Sequence, residues 1–293
     1  MVGKILKFME KINLYIKAVL TSIGQIMLQE NPWTGLLFLI GIFYGSPIMG
    51  IAAILSASVG LITAQLLKYD KSEIEQGLYG FSATLVGVAL TFFFKPEPII
   101  WITIIIGSAL AAIIQHAFIR RKIPAFTLPF ILVTWVCLYV FHNLDVIGTP
   151  VMSAESLTGQ NELATVARGF GEVIFQGSII AGILFILAVF INSPIAALYA
   201  IAAGVISAYI SYQFAEPDAD IHMGLFSFNA VLCAITFSGI RVRDGIYVLF
   251  SIILSTLIDV YMLKMGCSVL TFPFVAASWI TLLIKKILPA EYR

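Results

Sequence analysis

The second half of this chain repeats its first half. A shift of 147 positions aligns the halves without a gap from Gly24 to Gly87, and after a three-residue deletion the match continues at a shift of 144. The aligned motifs are Gly24-Gln25 with Gly171-Glu172, Ser46-Pro47-Ile48 with Ser193-Pro194-Ile195, and Thr127-Leu128-Pro129-Phe130 with Thr271-Phe272-Pro273-Phe274. The repeat predicts two copies of one structural unit.

The composition places both copies in a membrane. Of the 293 residues, 60% are hydrophobic and only 11% are charged, whereas about 25% of the residues in a soluble domain are charged. Apolar runs of about 20 residues, the length of a helix that crosses a bilayer, recur along the chain. We therefore predict an all-α polytopic membrane protein, and the duplication indicates a channel or transporter with its pathway between the copies.

Catalysis, cofactor binding and nucleic-acid binding have no support in the sequence. The net charge is +1 and no basic patch occurs. Cys137, Cys233 and Cys267 stand singly in or beside apolar runs, which favours packing residues over a disulfide or a metal site. The Walker, HExxH, GxSxG and CxxC motifs are all absent. We therefore expect neither an enzyme nor a cofactor.

Six apolar segments can be recognised in each half. The first half comprises residues 1–142, a polar linker residues 143–164, and the second half residues 165–293. The segments are 12–30, 33–45, 48–67, 78–94, 98–119 and 123–142, repeated at 165–177, 180–191, 195–214, 225–239, 245–263 and 267–284.

The distribution of charge predicts the topology. Both ends of the chain and the loop Arg120-Arg121-Lys122 are basic, while the linker contains acidic residues and no Lys or Arg. The positive-inside rule then places both termini in the cytoplasm and the linker outside. Each half must cross an odd number of times, which gives five transmembrane helices and one re-entrant helix, with the second half inverted. The best re-entrant candidates are 78–94 and 225–239, and the pore is expected at the pseudo-two-fold axis.

Gln25 and Glu172 occupy one repeat position inside apolar segments. Polar side chains there are costly, and an ionisable one marks a functional site by default; a pair of interhelical hydrogen-bond anchors is the alternative. Leu28 and Phe175 follow three residues later, and a second glutamine follows four residues later in each copy. On a continuous helix this spacing gives one face with an oxygen acceptor and an apolar wall. The second glutamines could equally be structural.

Three further repeated pairs are candidates for the pathway. They are Phe81 with Phe228, Leu85 with Leu232, and Thr127 with Thr271. Two facing aromatic rings would form a slot for flat molecules, although core packing explains an aromatic four residues before a leucine equally well. Each threonine lies two residues before a proline, so its hydroxyl could repair the interrupted helix or face the pathway.

At these motifs the chain resembles the urea transporter family over roughly residues 20–285. The matching features are Gly24-Gln25-Ile26 with Gly171-Glu172-Val173, the segments from Gly77 to Leu85 and from Gly224 to Leu232, and the two Thr-x-Pro-Phe motifs. The resemblance implies ten transmembrane helices, two re-entrant helices and a homotrimer with one pore per subunit. Urea and small amides would pass down their gradient, and the compact chain looks like a bacterial member, in the cell inner membrane.

The resemblance also implies a pore lined by oxygen acceptors and phenylalanine slots, with two threonines near its middle. The residues carried over are Gln25, Glu172, Phe81, Phe228, Phe175, Leu28, Leu85, Leu232, Thr127 and Thr271. Leu28 departs from the aromatic residue that the family has at that position.

Two other functions remain open on sequence grounds. The first is a channel for ammonia or another small neutral solute; against it, His116, His142 and His222 have no histidine mates in the repeat. The second is a proton-coupled transporter that uses Glu172. An integral-membrane enzyme is a more distant alternative.

Overall fold

The computed structural model describes residues 2–144, 162–214 and 216–287, and the side chains of most of them. The predicted linker, residues 143–164, lies largely outside the described residues. The described residues form fourteen α-helices and no strand, which confirms the prediction of an all-α protein. They divide into two compact units, one with Met1–Ala125 and Leu132–Pro150, the other with Phe126–Ile131 and Val151–Arg293.

The same order of helices occurs in both halves of the chain. The first half contains α1 (Val2–Gly24), α2 (Pro32–Gly45), α3 (Pro47–Leu66), α4 (Lys71–Glu75), α5 (Phe81–Phe93), α6 (Pro98–Arg120) and α7 (Leu128–Leu144). The second half contains α8 (Glu162–Glu172), α9 (Ile179–Asn192), α10 (Pro194–Gln213), α11 (Asp218–His222), α12 (Phe228–Phe237), α13 (Val242–Lys264) and α14 (Phe272–Ile287).

Polar–proline pairs determine where several helices begin. Asn31 accepts a hydrogen bond from the backbone of Trp33 at 2.8 Å, and Pro32 occupies the first helical position of α2. Ser46 and Ser193 act in the same way before α3 and α10, each with a proline directly after it. Proline suits this position because its missing N–H would have no partner in the first turn.

Among the residues that the structure describes, four helices are long and apolar enough to cross a membrane, namely α3, α6, α10 and α13. Apolar side chains cover most of their exposed length, as surfaces in contact with lipid require; examples are Ile102, Ile105 and Ile106 on α6 and Leu249 and Leu257 on α13. Exposed polar side chains lie at their C-terminal ends, at Gln65, Arg120, Gln213 and Lys264. A fifth candidate is the bent pair of α1 and α2, whose axes meet at 77° across a short break.

The predicted re-entrant role of 78–94 is wrong. Tyr69, which follows α3, stacks on His116 near the C-terminal end of α6, with the ring centroids 3.5 Å apart. Helices α3 and α6 therefore end on the same side of the first unit. The chain between them must travel the length of α6, roughly 35 Å for 23 residues, before α6 begins at Pro98. This segment crosses as the broken run of α4, a turn and α5.

The second unit overturns the corresponding assignment of 225–239. Lys264, the last residue of α13, donates to the carbonyl of Phe214 at 3.3 Å and forms a salt bridge with Glu216 at 3.1 Å. Helices α10 and α13 therefore end together, and α11, a turn and α12 must cross between them. The 77° bend between α1 and α2 fits either a broken span or a re-entrant loop.

Candidate functional site

The helix that carries Gln25 ends earlier than the sequence predicts. Helix α1 stops at Gly24, Gln25–Met27 form a 3₁₀ turn, and Leu28 adopts a left-handed conformation with φ of 57°. The N–H of Gln29 closes the turn by donating to the Gly24 carbonyl at 3.1 Å. This is a Schellman-type helix end in which leucine takes the place usually held by glycine. The predicted single helix face that continues past Gln25 is therefore wrong.

The second unit has the same chain reversal at the repeat-equivalent position. Glu172 is the last residue of α8, Phe175 has φ of 58°, and the N–H of Gln176 donates to the Gly171 carbonyl at 2.9 Å. The side-chain amides of Gln29 and Gln176 each donate to the carbonyl two residues before them, at 2.8 and 3.2 Å. The second glutamines thus hold the reversal in place.

Gln25 and Glu172 present side-chain oxygens at the ends of these helices. The Gln25 amide nitrogen donates to the Gln76 carbonyl at 3.0 Å, which leaves its oxygen as an acceptor. Both side chains are half-buried. Within the part of the chain that the structure describes, no donor hydrogen-bonds the Gln25 oxygen or the Glu172 carboxylate. A hydrogen-bond donor that enters either position would find an acceptor that the protein has not used.

Phe175 packs against a second aromatic residue in its own unit. Its ring meets that of Phe130 in a T-shaped arrangement, with centroids 6.2 Å apart and planes at 77°. Phe130 is the last residue of the first Thr-x-Pro-Phe motif, and the sequence argument took its threonine and overlooked its phenylalanine. Leu28, the repeat mate of Phe175, is 37% exposed and offers no ring.

Phe81 and Phe228 are the first residues of α5 and α12. Phe81 is 7% exposed and Phe228 is half-buried, while Leu85 and Leu232, one turn later, are fully buried. Each helix follows a glycine turn four residues upstream, at Gly77 with φ of 76° and Gly224 with φ of 83°. The predicted pore role of these four side chains stays a prediction.

Thr127 and Thr271 come together in the second unit. Their hydroxyl oxygens lie 2.7 Å apart, and the two residues are only 2% and 3% exposed. The residue before each threonine is left-handed, with φ of 50° at Phe126 and 47° at Leu270. Non-glycine residues in this conformation cost roughly 1–3 kcal/mol and cluster at functional sites. The structure thus joins two candidates that lie 144 positions apart in sequence.

A buried polar pair in the second unit was missed by sequence reasoning. Asn229, directly after Phe228, donates from its amide nitrogen to Asp259 at 2.9 Å, and both residues are fully buried. Asp259 is a lone carboxylate within the apolar segment 245–263, which is the signal that identified Glu172. Its repeat mate is Gln115, another buried polar residue on a long helix.

The first unit has a different polar cluster that sequence reasoning also missed. The Tyr79 hydroxyl donates to the Glu73 carboxylate and lies 2.9 Å from Nδ1 of His116. The repeat mates of Tyr79 and His116 are Phe226 and Val260, which share an apolar cluster in the second unit. The two copies are therefore chemically different at this position, and in the first unit the cluster anchors the loop that carries Gln76.

The described residues contain no group of three or more His, Cys, Asp or Glu side chains that could hold a metal ion. The second unit by itself supplies an oxygen acceptor in Glu172, aromatic rings in Phe130 and Phe175, and a pair of hydroxyl groups in Thr127 and Thr271. Such a set can bind a small neutral molecule rich in N–H donors.

Comparison with known proteins gives a consistent result. A family model described as urea transporter matches residues 16–286. Urea transporter 1 of Mus musculus is 27% identical over 238 residues, which cover 75% of this chain and 62% of the mouse protein. Urea transporter 1 of Ovis aries is 25% identical over 304 residues, which cover 95% of this chain and 79% of the sheep protein. The chain thus spans less than two thirds of the length of the mouse relative.

Proposed function

Since the chain belongs to the urea transporter family, a family of transport proteins and not of enzymes, we propose that it carries urea passively down its gradient through a narrow membrane channel. The observation that carries this proposal is the repeated chain reversal after α1 and α8. At each reversal a half-buried side-chain oxygen, from Gln25 or Glu172, has no donor among the described residues. Urea can fill that role because it has four N–H donors.

The chemistry of urea fits the remaining candidates. Urea is planar and neutral, and it must exchange its water partners for protein partners when it enters a narrow pathway. Oxygen acceptors replace the lost water, because each unpaired N–H group in a dry environment costs roughly 1–3 kcal/mol. Flat aromatic walls limit the thickness of the solute, and small amides share the same donor geometry. Anions gain nothing from oxygen acceptors that would offset their loss of water.

The proposal includes the finer features that the resemblance implies. These are a homotrimer with one pore per subunit, a multi-pass arrangement in the cell inner membrane, and cytoplasmic N- and C-termini. The charge pattern supports the orientation in the first unit. Lys68 and Lys71, at the end where α3 and α6 terminate, lie on the same side as Arg120, Arg121 and Lys122, which strengthens the basic character of that side.

Glu172 provides the decisive test. Purified protein in liposomes should give stopped-flow urea flux, and Glu172→Leu should reduce it about 5- to 150-fold, since losing one acceptor costs roughly 1–3 kcal/mol and each 1.4 kcal/mol or so is a factor of ten. Glu172→Gln is the matched variant, because it keeps one oxygen acceptor and should retain part of the flux. Full urea flux in a well-folded Glu172→Leu protein would contradict the proposal.

The same preparation separates the alternative functions. Conduction of ammonia with no urea flux would identify a channel for a different neutral solute. Urea uptake that requires a pH gradient, and that Glu172→Gln abolishes, would identify a proton-coupled transporter. Passive transport predicts uptake that follows the urea gradient alone and survives in Glu172→Gln.

A further inference from the structure

Three helices of the second unit are tied together by one buried side chain. The Asn229 amide at the start of α12 donates to a carboxylate oxygen of Asp259 on α13 at 2.9 Å and to the Leu270 carbonyl at 3.3 Å. Its own oxygen accepts from the backbone N–H of Phe274 on α14 at 3.2 Å. Asn229 and Asp259 are fully buried, so water cannot take the place of a missing partner.

The two backbone groups that Asn229 holds lie on either side of Thr271. Leu270 precedes the threonine in the left-handed conformation, with φ of 47°, and Phe274 follows it in the first turn of α14. Asn229 also directly follows Phe228. One amide therefore ties the backbone on both sides of Thr271 to the residue that follows Phe228.

Asp259 is one of three groups that hold this amide in a single orientation. An asparagine side chain has two N–H donors and one carbonyl acceptor, and all three are used here. If the amide rotated by half a turn, its oxygen would face the Leu270 carbonyl, which is an acceptor and cannot donate. The same rotation would place the amide N–H groups against the Phe274 N–H, so the two backbone contacts exclude the rotated form.

The first unit has no such tie at the equivalent place. The repeat mates of Asn229 and Asp259 are Ser82 and Gln115, and both are buried. The Ser82 hydroxyl and the Gln115 carbonyl oxygen have no hydrogen-bond partner among the described residues. A serine is too short and has too few polar atoms to reproduce three bonds. The two halves therefore share a helix arrangement and differ in how firmly this position is held.

We propose that Asp259 is a positioning residue that, through Asn229, fixes Thr271 and Phe228 and so sets the solute selectivity of the second unit. The inference rests on the proposed function in one respect, that Thr271 and Phe228 contact the solute. The tie itself is independent of that function and can be measured separately.

Two readouts test the inference. The first is the ratio of dimethylurea flux to urea flux in liposomes, which reports the fit of the pathway to the solute. The second is hydrogen–deuterium exchange of a peptide that covers residues 270–278, which reports protection of the Phe274 amide whether or not urea passes. In Asp259→Leu we expect the flux ratio to rise several-fold and this amide to exchange about tenfold faster.

Matched variants separate positioning from general stability. Asp259→Asn should keep the flux ratio and the exchange rate at their wild-type values, because its amide oxygen can still accept from Asn229. Thr256→Val removes another buried hydroxyl from α13, one that bonds only to its own helix at 2.9 Å, and should change neither readout. The paired change Asn229→Ser with Asp259→Gln gives the second unit the residues of the first, and should reproduce the effect of Asp259→Leu.

Each outcome decides one statement. An unchanged flux ratio and unchanged exchange in a folded Asp259→Leu protein would overturn the inference, and if that variant does not fold, the paired change decides by the same criteria. Faster exchange with an unchanged flux ratio would reduce Asp259 to a purely structural residue. A wild-type protein that conducts no urea would refute the proposed function, while the exchange data would still test the tie.

Discussion

The Thr127–Thr271 pair allows stability and conduction to be separated by experiment. The two hydroxyl oxygens lie 2.7 Å apart and are almost completely buried within the second unit. Valine has nearly the shape of threonine and lacks the hydroxyl. Thr127→Val or Thr271→Val alone leaves the other hydroxyl without this partner, which costs roughly 1–3 kcal/mol. Replacing both removes the donor and the acceptor together, and such a change is nearly neutral for stability.

Conduction should follow the opposite pattern. If the hydroxyls replace water around the solute, the double variant loses both of them, and its urea flux cannot return to the wild-type rate. A loss of roughly 1–3 kcal/mol at the barrier slows urea flux by about 5- to 150-fold, since each 1.4 kcal/mol or so is a factor of ten. We therefore expect the double variant to be as stable as the wild type and to conduct no better than either single variant.

The assays are the thermal midpoint of unfolding in detergent and stopped-flow urea flux in liposomes, measured on the same preparations. Thr281→Val is the control, because its hydroxyl bonds to the Ala277 carbonyl of its own helix at 2.7 Å. It should leave flux unchanged. Flux that returns to the wild-type level together with stability in the double variant would show that the pair only holds helices together, and would remove both threonines from the pathway.

Two further predictions test the backbone and the corrected topology. Gly224→Ala should lower the thermal midpoint far more than Gly266→Ala, because both glycines have positive φ but only a Cβ at Gly224 would lie within 2.5 Å of a backbone nitrogen of α8; equal effects would refute the close approach. In a background without native cysteines, cysteines that replace Lys71 and Arg121 should react with an impermeant thiol reagent from the same side of the membrane, and one that replaces Lys95 from the opposite side. Labelling of Lys71 and Lys95 positions from one side would restore the re-entrant assignment of 78–94.

Helix starts could be predicted from sequence because local chemistry determines them. The segments 33–45, 48–67 and 98–119 agree closely with Pro32–Gly45, Pro47–Leu66 and Pro98–Arg120. In each case a proline occupies the first helical turn, where its missing N–H is not needed. The apolar composition and the repeat likewise predicted an all-α membrane protein, and the family match agrees with that prediction.

The chain reversals could not be predicted because their signal is absent. Helices commonly end with a left-handed glycine, whereas Leu28 and Phe175 hold this conformation here. Both side chains continue the apolar pattern, so the sequence suggests an unbroken helix and places Gln25 and Glu172 in its interior. The re-entrant assignment failed for a related reason. Only tertiary contacts, such as the ring stack of Tyr69 on His116, show that two helices end together.

The pairing of buried polar residues was hidden because the two copies differ in chemistry. A comparison of the halves detects identical residues, such as Thr127 and Thr271. It does not detect aligned residues that differ, such as Asp259 with Gln115 or Asn229 with Ser82. A search for polar residues that align with polar residues of the other half would have found both pairs. Their contacts still required the structure, because they join helices that lie far apart in sequence.

Unusual backbone marks the candidate site more consistently than side-chain identity does. Repeat-equivalent positive φ values occur at Leu28 and Phe175, at Gly77 and Gly224, and at Phe126 and Leu270. Every candidate lies on one of these residues or within eight positions of one. A left-handed leucine or phenylalanine costs roughly 1–3 kcal/mol, and a helix that simply continued would avoid that cost. Both copies nevertheless retain the turn while its side chain changes from leucine to phenylalanine. The shared requirement is therefore the helix end itself. It fixes the position of a side-chain oxygen, from Gln25 or Glu172, that accepts no hydrogen bond from the described residues.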